Sequence, residues 1–407
     1  MAKSLTEAMV RAIEAMSRWP ARTARLFHHN DADGISSGAI VTLALTRAGY
    51  GVDRCCLEKP YPPVLETIYR DRGALLVFAD FAGRIAPFLS DVNQGRNLTI
   101  ILDHHPAIPA TDPCVHNLDP DLFGYRGDRD VSASTTCYRF AECLDPANRD
   151  LAYLAVAGAV GDGFFVDGRL AGLNRLAAEA AVAGGQLEIR PLPGGEAYRF
   201  RGPVHDLPVE DLAGDLDLFG GVGYFRGGPE TGIRLCMEGY DAAADRSKYD
   251  LIQLRNRLYE AEIGRLEAGS LKVSGRIQWF QVAERFDGIG VKMIGAFCRY
   301  IRDCDFIDPN KYVAGFQPIP NTIPGMGVIE FCAVKVSMRV PTALEARIIN
   351  GEMPGLDRLL PEATQSVGGF SDACHSLAAA TTIPPGKEGM LVETLNAILQ
   401  EWEVCQP

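Results

Sequence analysis

The stretch Arg25-Leu-Phe-His-His-Asn-Asp-Ala-Asp-Gly34 places His29, Asp31 and Asp33 at alternate positions after a short apolar run, with Gly34 following at once. Clustered carboxylates repel one another unless a cation lies among them, so these residue types at this spacing point to a divalent metal. Three further segments end in the same way. Ala74–Ala79 runs into Asp80, Asn97–Leu102 runs into Asp103-His104-His105, and the small-residue stretch Leu151–Val160 runs into Gly161-Asp162-Gly163. Taken singly, each Asp is as readily a helix cap or a turn former. Taken together, acidic termini after successive apolar segments are better explained by one site. Its candidate ligands are His29, Asp31, Asp33, Asp80, Asp103, His104 and Asp162, with His105 close by. Such a set can hold two octahedral ions about 3.5–4 Å apart with one carboxylate bridging. Mixed imidazole and carboxylate donors suit Mn²⁺ better than Ca²⁺, with Mg²⁺ or Co²⁺ as substitutes.

The elements that must position these residues follow from the same runs. Short, continuously apolar segments read as strands of a parallel sheet buried on both faces. The C-terminal edge of such a sheet gathers the strand ends into one crevice. Helices are expected over Ser4–Trp19, over Ile35–Tyr50 with Ser36 and Ser37 in the first turn, and from Ser132 and Leu151 onward. A second strand is expected near Asp53–Leu57, and loops at Pro60, Pro62 and Pro63 and between His105 and Val131. Residues 185–235 carry many Gly and Pro and read as an inter-domain region, followed by a long connecting helix over Ala242–Gly269. Strand-like runs (Ile277–Val282, Tyr312–Phe316, Val328–Val340) and helical ones (Val291–Arg302, Ala343–Asn350, Leu391–Val404) then suggest a second α/β domain. The expected division is 1–190 for a metal-binding domain, 191–270 for a connector with its linking helix, and 271–407 for a substrate-binding domain. The fold class is α/β, with a cleft between an N-terminal parallel-sheet domain and a smaller C-terminal one.

Bulk properties narrow the function. A chain of 407 residues, 47% hydrophobic and 23% charged, is globular and long enough for two or three domains. No apolar run reaches the roughly 18 residues of a membrane span, and the N-terminal pattern lacks a signal-peptide core, so a cytoplasmic protein is expected. The 11 cysteines form an odd set without a CxxC pair, which favours reduced, buried thiols over disulfides or a zinc site. A net charge of −12 argues against broad binding of duplex DNA, although a site holding two divalent ions supplies its own positive charge.

The ordered set His29-Asn-Asp31-Ala-Asp33-Gly34, Asp80, Asp103-His104-His105 and Asp162 resembles the motifs of the DHH phosphoesterase superfamily, over roughly the first 165 residues. The resemblance implies a two-Mn²⁺ hydrolase. His29, Asp31 and Asp80 would hold one ion, and Asp33, Asp80, His104 and Asp162 the other, with Asp80 bridging. Asp103 would orient a histidine through its ring N–H, and His105 would contact the scissile phosphate. Further on, Ser337-Met-Arg339 and Gly368-Gly369 with His375 resemble the DHH-associated substrate-binding domain of RecJ-type exonucleases and nanoRNases. That resemblance implies phosphate binding by the backbone of Gly368 and Gly369, with Ser337, Arg339 and His375 beside it.

The expected function is therefore a Mn²⁺-dependent phosphodiesterase that converts short single-stranded oligonucleotides or dinucleotides to mononucleotides by two-metal water activation. The acidic charge and the lack of an oligonucleotide-binding barrel with aromatic and basic stripes favour small substrates. A RecJ-like single-stranded DNA 5′–3′ exonuclease is the alternative enzyme. A family II pyrophosphatase shares the N-terminal motifs but has a different type of second domain. An inactive DHH-fold replication scaffold is the non-enzyme alternative and predicts eroded metal ligands. No membrane partner is expected, and an oligomer is compatible with the sequence.

Overall fold

The computed structural model describes residues 4–330 and 332–405 and divides the chain into two compact units. The first comprises 1–251 and Ile323–Ile329, the second Ile252–Thr322 and 330–407.

The first unit is built on a five-stranded sheet in the order β2-β1-β3-β4-β5. Its strands are β1 (Thr23–His28), β2 (Gly51–Cys56), β3 (Leu75–Ala79), β4 (Leu98–Leu102) and β5 (Val115–Asn117), all parallel. Every residue of β3 and β4 is buried, as expected for strands covered on both faces. Leu26, Val77 and Ile100 join the main core. Phe27 and Phe78, one position on, point to the other face, where their rings stack at 5.2 Å and Tyr69 lies 6.3 Å from Phe78. Burying each such ring contributes on the order of 1.5–3 kcal/mol.

Around the sheet lie α1 (Leu5–Arg18), α2 (Ala32–Arg47), α3 (Pro62–Ile68), α4 (Ala86–Asn93), α5 (Ala133–Leu144) and α6 (Ala152–Gly161). Ser4 and Ser132 cap α1 and α5 through their side chains. Helix α2 begins at Ala32, three residues before Ile35, because Asp31 accepts from the Gly34 N–H and caps it. The alternate spacing of His29, Asp31 and Asp33 is thus that of a strand end, a cap and a first helical turn. The prolines at 62 and 63 start α3, where a missing N–H costs nothing. The expected loop after His105 also contains β5.

The unit continues through β6 (Phe165–Val166), β7 (Arg169–Leu170), α7 (Gly172–Ala183), β8 (Leu187–Leu192), β9 (Gly195–Phe200), α8 (Val209–Gly221), α9 (Gly228–Glu238) and the first part of α10 (Ala242–Arg265). Residues 191–251, expected as a connector, therefore pack within the first unit. Val209, Leu212, Leu216 and Phe219 are fully buried on α8. This helical stripe outweighs the local density of Gly and Pro.

The second unit carries a mixed sheet in the order β10-β11-β12-β15-β17-β16. Its strands are β10 (Lys272–Ser274), β11 (Ile277–Gln281), β12 (Tyr312–Pro318), β15 (Val334–Arg339), β16 (Phe370–Cys374) and β17 (Ala378–Ile383). The short strands β13 (Thr322–Ile323) and β14 (Gly327–Val328) pair separately. The expected strand Val328–Val340 is therefore interrupted; within it, Phe331 lies outside the described residues. Helices α11 (Met293–Ile301), α12 (Thr342–Ile349), α13 (Leu356–Ser366) and α14 (Glu388–Cys405) complete the unit. Among the described residues no helix is long and apolar enough to cross a membrane, and the described cysteines are free thiols.

Candidate metal centre

In a sheet ordered 2-1-3-4-5 the chain reverses its winding direction between β1 and β3, and ligands bind in the crevice that opens there at the carboxyl ends. His29 follows β1, Asp80 follows β3, and Asp103 and His104 follow β4. Two groups of donors result. In one, His29 Nδ1 lies 2.6 Å from Asp31 Oδ2 and 3.3 Å from Asp80 Oδ2. In the other, His104 Nε2 lies 4.0 Å from Asp33 Oδ2, 3.5 Å from Asp80 Oδ1 and 3.7 Å from Asp162 Oδ2. Asp80 presents one oxygen to each group.

The second ring nitrogens fix the histidines. His29 Nε2 is 3.0 Å from the Glu58 carbonyl, and His104 Nδ1 is 2.6 Å from the Gly127 carbonyl. A carbonyl only accepts, so each of these nitrogens carries a proton, and the opposite nitrogen is the one turned toward the carboxylates, where a cation would take its lone pair. Gly127 is required there, since an added Cβ would fall 1.5 Å from the His104 carbonyl oxygen. Asp80 itself adopts a left-handed backbone with φ 68°. For a residue with a Cβ this costs on the order of 1–3 kcal/mol and clusters at functional sites.

Neighbouring helices bring in the remaining carboxylates. Asp33 accepts from the N–H groups of Ala133 (2.7 Å) and Ser134 (2.9 Å), which ties it to the start of α5. Gly158 lets it in, because an added Cβ would lie 2.2 Å from Asp33 Oδ1. Asp162 closes α6 as its C-cap.

The electrostatics reflect crowded like charges. Burial and then the charge of Asp31 push Asp80 well up; burial, Asp33 and Asp31 do the same to Asp162. Burial would lower His29, but Asp31 and Asp80 outweigh it and hold the ring up to about 9. Burial likewise opposes the rise of His104, which Asp33, Asp162 and Asp103 produce. Asp80 Oδ1 and His104 Nε2 are buried without a hydrogen-bond partner. Orphaned donors facing each other across a knot of carboxylates fit a divalent cation.

Asp103 is differently placed. Its Oδ1 accepts from the His104 N–H (2.8 Å) and from His105 Nδ1 (2.7 Å), and its Oδ2 accepts from the Gly83 N–H (2.8 Å). These bonds suit an orienting group. Burial works to raise its pKa, but His105 and His104 hold the carboxylate well below the usual range. His105, half exposed, lies with its ring 4.2 Å from that of His104 and keeps Nε2 available. His28 is buried in the core, which lowers it to about 4, and it bonds the His29 carbonyl.

The C-terminal candidates fall into two places. Arg339 pairs with Ala378 across β15 and β17, and the His375 N–H donates to the Ala378 carbonyl, so these residues share one end of the sheet. Ser337 pairs with Ala380 two residues along. Gly295 packs against this end, its virtual Cβ 2.7 Å from Ser337 Oγ and 2.9 Å from Arg339 Nη2. Among the described residues no carboxylate pairs with the Arg339 guanidinium, which burial lowers. Gly368 and Gly369 lie instead at the opposite end of β16, beside Thr382, whose partner on β15 is Lys335. Lys335 and Arg339 are four positions apart along β15, roughly 13 Å. The structure therefore does not bring Gly368 and Gly369 to Arg339 and His375, because 370–374 forms a strand between them.

Several contributors escape sequence reading. Asn30 Nδ2 bonds the Gly220 carbonyl (2.9 Å) and Glu58 Oε1 (3.2 Å). Asp217 on α8 accepts from the Ala32 N–H (3.2 Å), and its charge acts on Asp162. The stripe on α8 was the available signal for that helix, but nothing local marked its Asp217 as a neighbour of residue 32.

No family model matches the chain. An uncharacterized protein of Methanocaldococcus jannaschii is 32% identical over 145 residues, 34% of this chain and 32% of the relative. The RecJ structure from Thermus thermophilus in complex with Mn²⁺ superposes with a TM-score of 0.60 at 16% identity, covering 98% of this chain and 55% of RecJ. An exonuclease RecJ bound to manganese matches with a TM-score of 0.58 at 16% identity, over the full length of this chain and 97% of the other. The chain thus has the two-part α/β fold of the RecJ and DHH-domain structures, and it spans about half the length of the first of them.

Proposed function

We propose that this protein is a metal-dependent phosphodiesterase that hydrolyses short single-stranded oligonucleotides or dinucleotides, with two Mn²⁺ ions as its resident metals. The observation that carries the reading is the division of Asp80 between two donor groups, 3.3 Å from His29 Nδ1 on one side and 3.5 Å from His104 Nε2 on the other. His29, Asp31 and Asp80 would hold one ion, and Asp33, Asp80, His104 and Asp162 the other. When bound, such ions lower the pKa of a water and offset charge on a transferring phosphoryl group.

The chain's own residues do the rest. Glu58 and Gly127 hold the two ring N–H groups through their carbonyls, so that both histidines turn their other ring nitrogens inward. Asp103 holds His105 by Nδ1, which leaves Nε2 to meet a non-bridging phosphate oxygen. In the second unit, Arg339, Ser337 and His375 are proposed to bind the terminal phosphate through charge-assisted hydrogen bonds.

The fold shared with RecJ structures also fits a single-stranded DNA exonuclease, and substrate length separates the two readings. The test is hydrolysis, with Mn²⁺, of a dinucleotide, a short oligomer and a long single strand, each labelled at its 5′ or 3′ end, with Asp80→Ala as control. Fastest loss of the shortest substrates, abolished by the substitution, is the expected result. Preference for the long strand would move the assignment to the exonuclease, and no turnover with metal bound would defeat both.

A further inference from the structure

We infer that Asp217 on α8 is a positioning residue that sets the two candidate metal-donor groups relative to each other. Its placement rests on geometry within the first unit; its consequence for metal rests on the two-ion reading proposed above.

Ala32 stands between the two groups. Asp31 belongs with His29 and Asp80, and Asp33 belongs with His104 and Asp162. One residue therefore separates a donor of each group, and a shift of its peptide moves one donor against the other. Asp33 is tied to the start of α5 by the N–H groups of Ala133 and Ser134. The peptide that joins Asp31 to Ala32 is held from another direction, because the Ala32 N–H donates to Asp217 Oδ1 at 3.2 Å.

The surroundings leave this peptide little room. Ala32 is 1% exposed. A Cβ added to Gly161 would fall 2.4 Å from the Ala32 Cβ, and one added to Gly220 would fall 1.8 Å from the Asn30 carbonyl oxygen. Asp217 and Gly220 are three residues apart and so share the side of α8 on which the first motif lies. The helix is also pinned on nearly its opposite side. There Asp215 accepts from the Tyr240 hydroxyl and from Lys248 Nζ, each at 2.7 Å. Leu212, Leu216 and Phe219 are fully buried on the same helix. A fixed helix thus presents a fixed acceptor to Ala32.

Asp217 acts in two separable ways. Its oxygen accepts a hydrogen bond, which an Asn side chain in its place would also do through Oδ1. Its charge reaches Asp162 in the second group, and an Asn would not supply that. Inside a protein such a charge is screened far less than in water. Losing the charge should weaken the ion of the Asp33, His104 and Asp162 group selectively. Losing the hydrogen bond as well should let Asp31 drift and weaken both ions.

The experiment compares the full chain as wild type, Asp217→Asn and Asp217→Ala, with Asp211→Asn as the same charge change at an exposed position of α8. In the metal-free proteins, hydrogen exchange of the Ala32 amide should quicken roughly tenfold in Asp217→Ala and hold in Asp217→Asn. Calorimetric titration with Mn²⁺ should show one site weakened roughly 10- to 100-fold in Asp217→Asn and both in Asp217→Ala. Electron paramagnetic resonance at two equivalents should show isolated Mn²⁺ in both variants and a coupled pair in wild type. Asp211→Asn should match wild type throughout. An unchanged Ala32 amide in Asp217→Ala, or Mn²⁺ sites that shift equally or not at all in Asp217→Asn, would overturn the inference. Should Asp217→Ala fail to fold, the selective loss in Asp217→Asn still decides it. Wild type that takes fewer than two Mn²⁺ ions would defeat the two-ion reading itself. The Ala32 amide, read without metal, would still uphold or overturn the placement by Asp217.

Discussion

The two proposed binding regions are built on opposite principles. At the metal centre several donors are fixed by another bond: Asp33 accepts from two N–H groups at the start of α5, Asp31 caps α2, and each histidine is held by a carbonyl. At the Arg339 end of the second unit, one guanidinium is anchored, among the described residues, by a single bond to the Met338 carbonyl, with Ser337 and the exposed His375 for company. The difference suits the roles proposed for them, chemistry that demands sub-ångström placement in the first and recognition and release of a phosphate in the second.

Substitution at the two regions should therefore act on different kinetic constants. The largest effect is expected from Asp80→Asn, which removes the charge of Asp80 and replaces one of the two oxygens it divides between the donor groups. Turnover should fall by at least on the order of 10³-fold, and calorimetric titration should show loss of one or both Mn²⁺ ions. Full metal stoichiometry with wild-type turnover would dissolve the contrast, because Asp80 would then be structural. Next in size is Arg339→Ala. Loss of a charge-assisted hydrogen bond is worth about 1.5–3 kcal/mol, so KM should rise roughly 10- to 100-fold with kcat little changed. A fall in kcat at constant KM would place Arg339 in the chemical step. The smallest effect is expected from Gly368→Ala. Its φ of +75° disfavours any side chain, yet nothing lies within 4 Å of an added Cβ. Denaturant unfolding should register a loss of about 0.5–1 kcal/mol, and KM should stay put. A KM shift as large as that of Arg339→Ala would return Gly368 to the binding region.

The same contrast governs what the sequence made legible. Asp80, Asp103 and His104 follow strands that are buried at every position, so their placement at one sheet edge could be foreseen from composition and length. Asp162 was legible for a similar reason, at the end of a helix rich in Ala, Val and Gly. Asp119 was not, since Asn-Leu-Asp-Pro looks like a cap, and it is one: Asp119 Oδ1 caps the turn at Pro120–Phe123. Its second oxygen is buried without a hydrogen-bond partner beside Gly83, far enough back along the chain that no local pattern reports it. In the second unit, Phe370–Cys374 follows two glycines and reads as part of a turn, while its β-strand character comes from pairing with β17. Helix α13 was hidden by Pro361 in its interior, although Leu356, Leu359, Leu360 and Ala363 are buried at helical spacing.

Helix α8 holds the first motif in place: the Gly220 carbonyl takes the Asn30 amide, and Asp217 takes the Ala32 N–H. During synthesis the chain leaves the ribosome in order, and each segment can use only the partners already made. All the proposed metal donors have emerged once Asp162 is out, yet the bonds that steady residues 30 to 32 must wait for residues 217 to 220. A nascent chain paused just after α7 would carry the whole ligand set while residues 30 to 32 still lack their α8 partners. The first motif is thus encoded early and steadied late, by a helix that follows it by 185 to 190 residues.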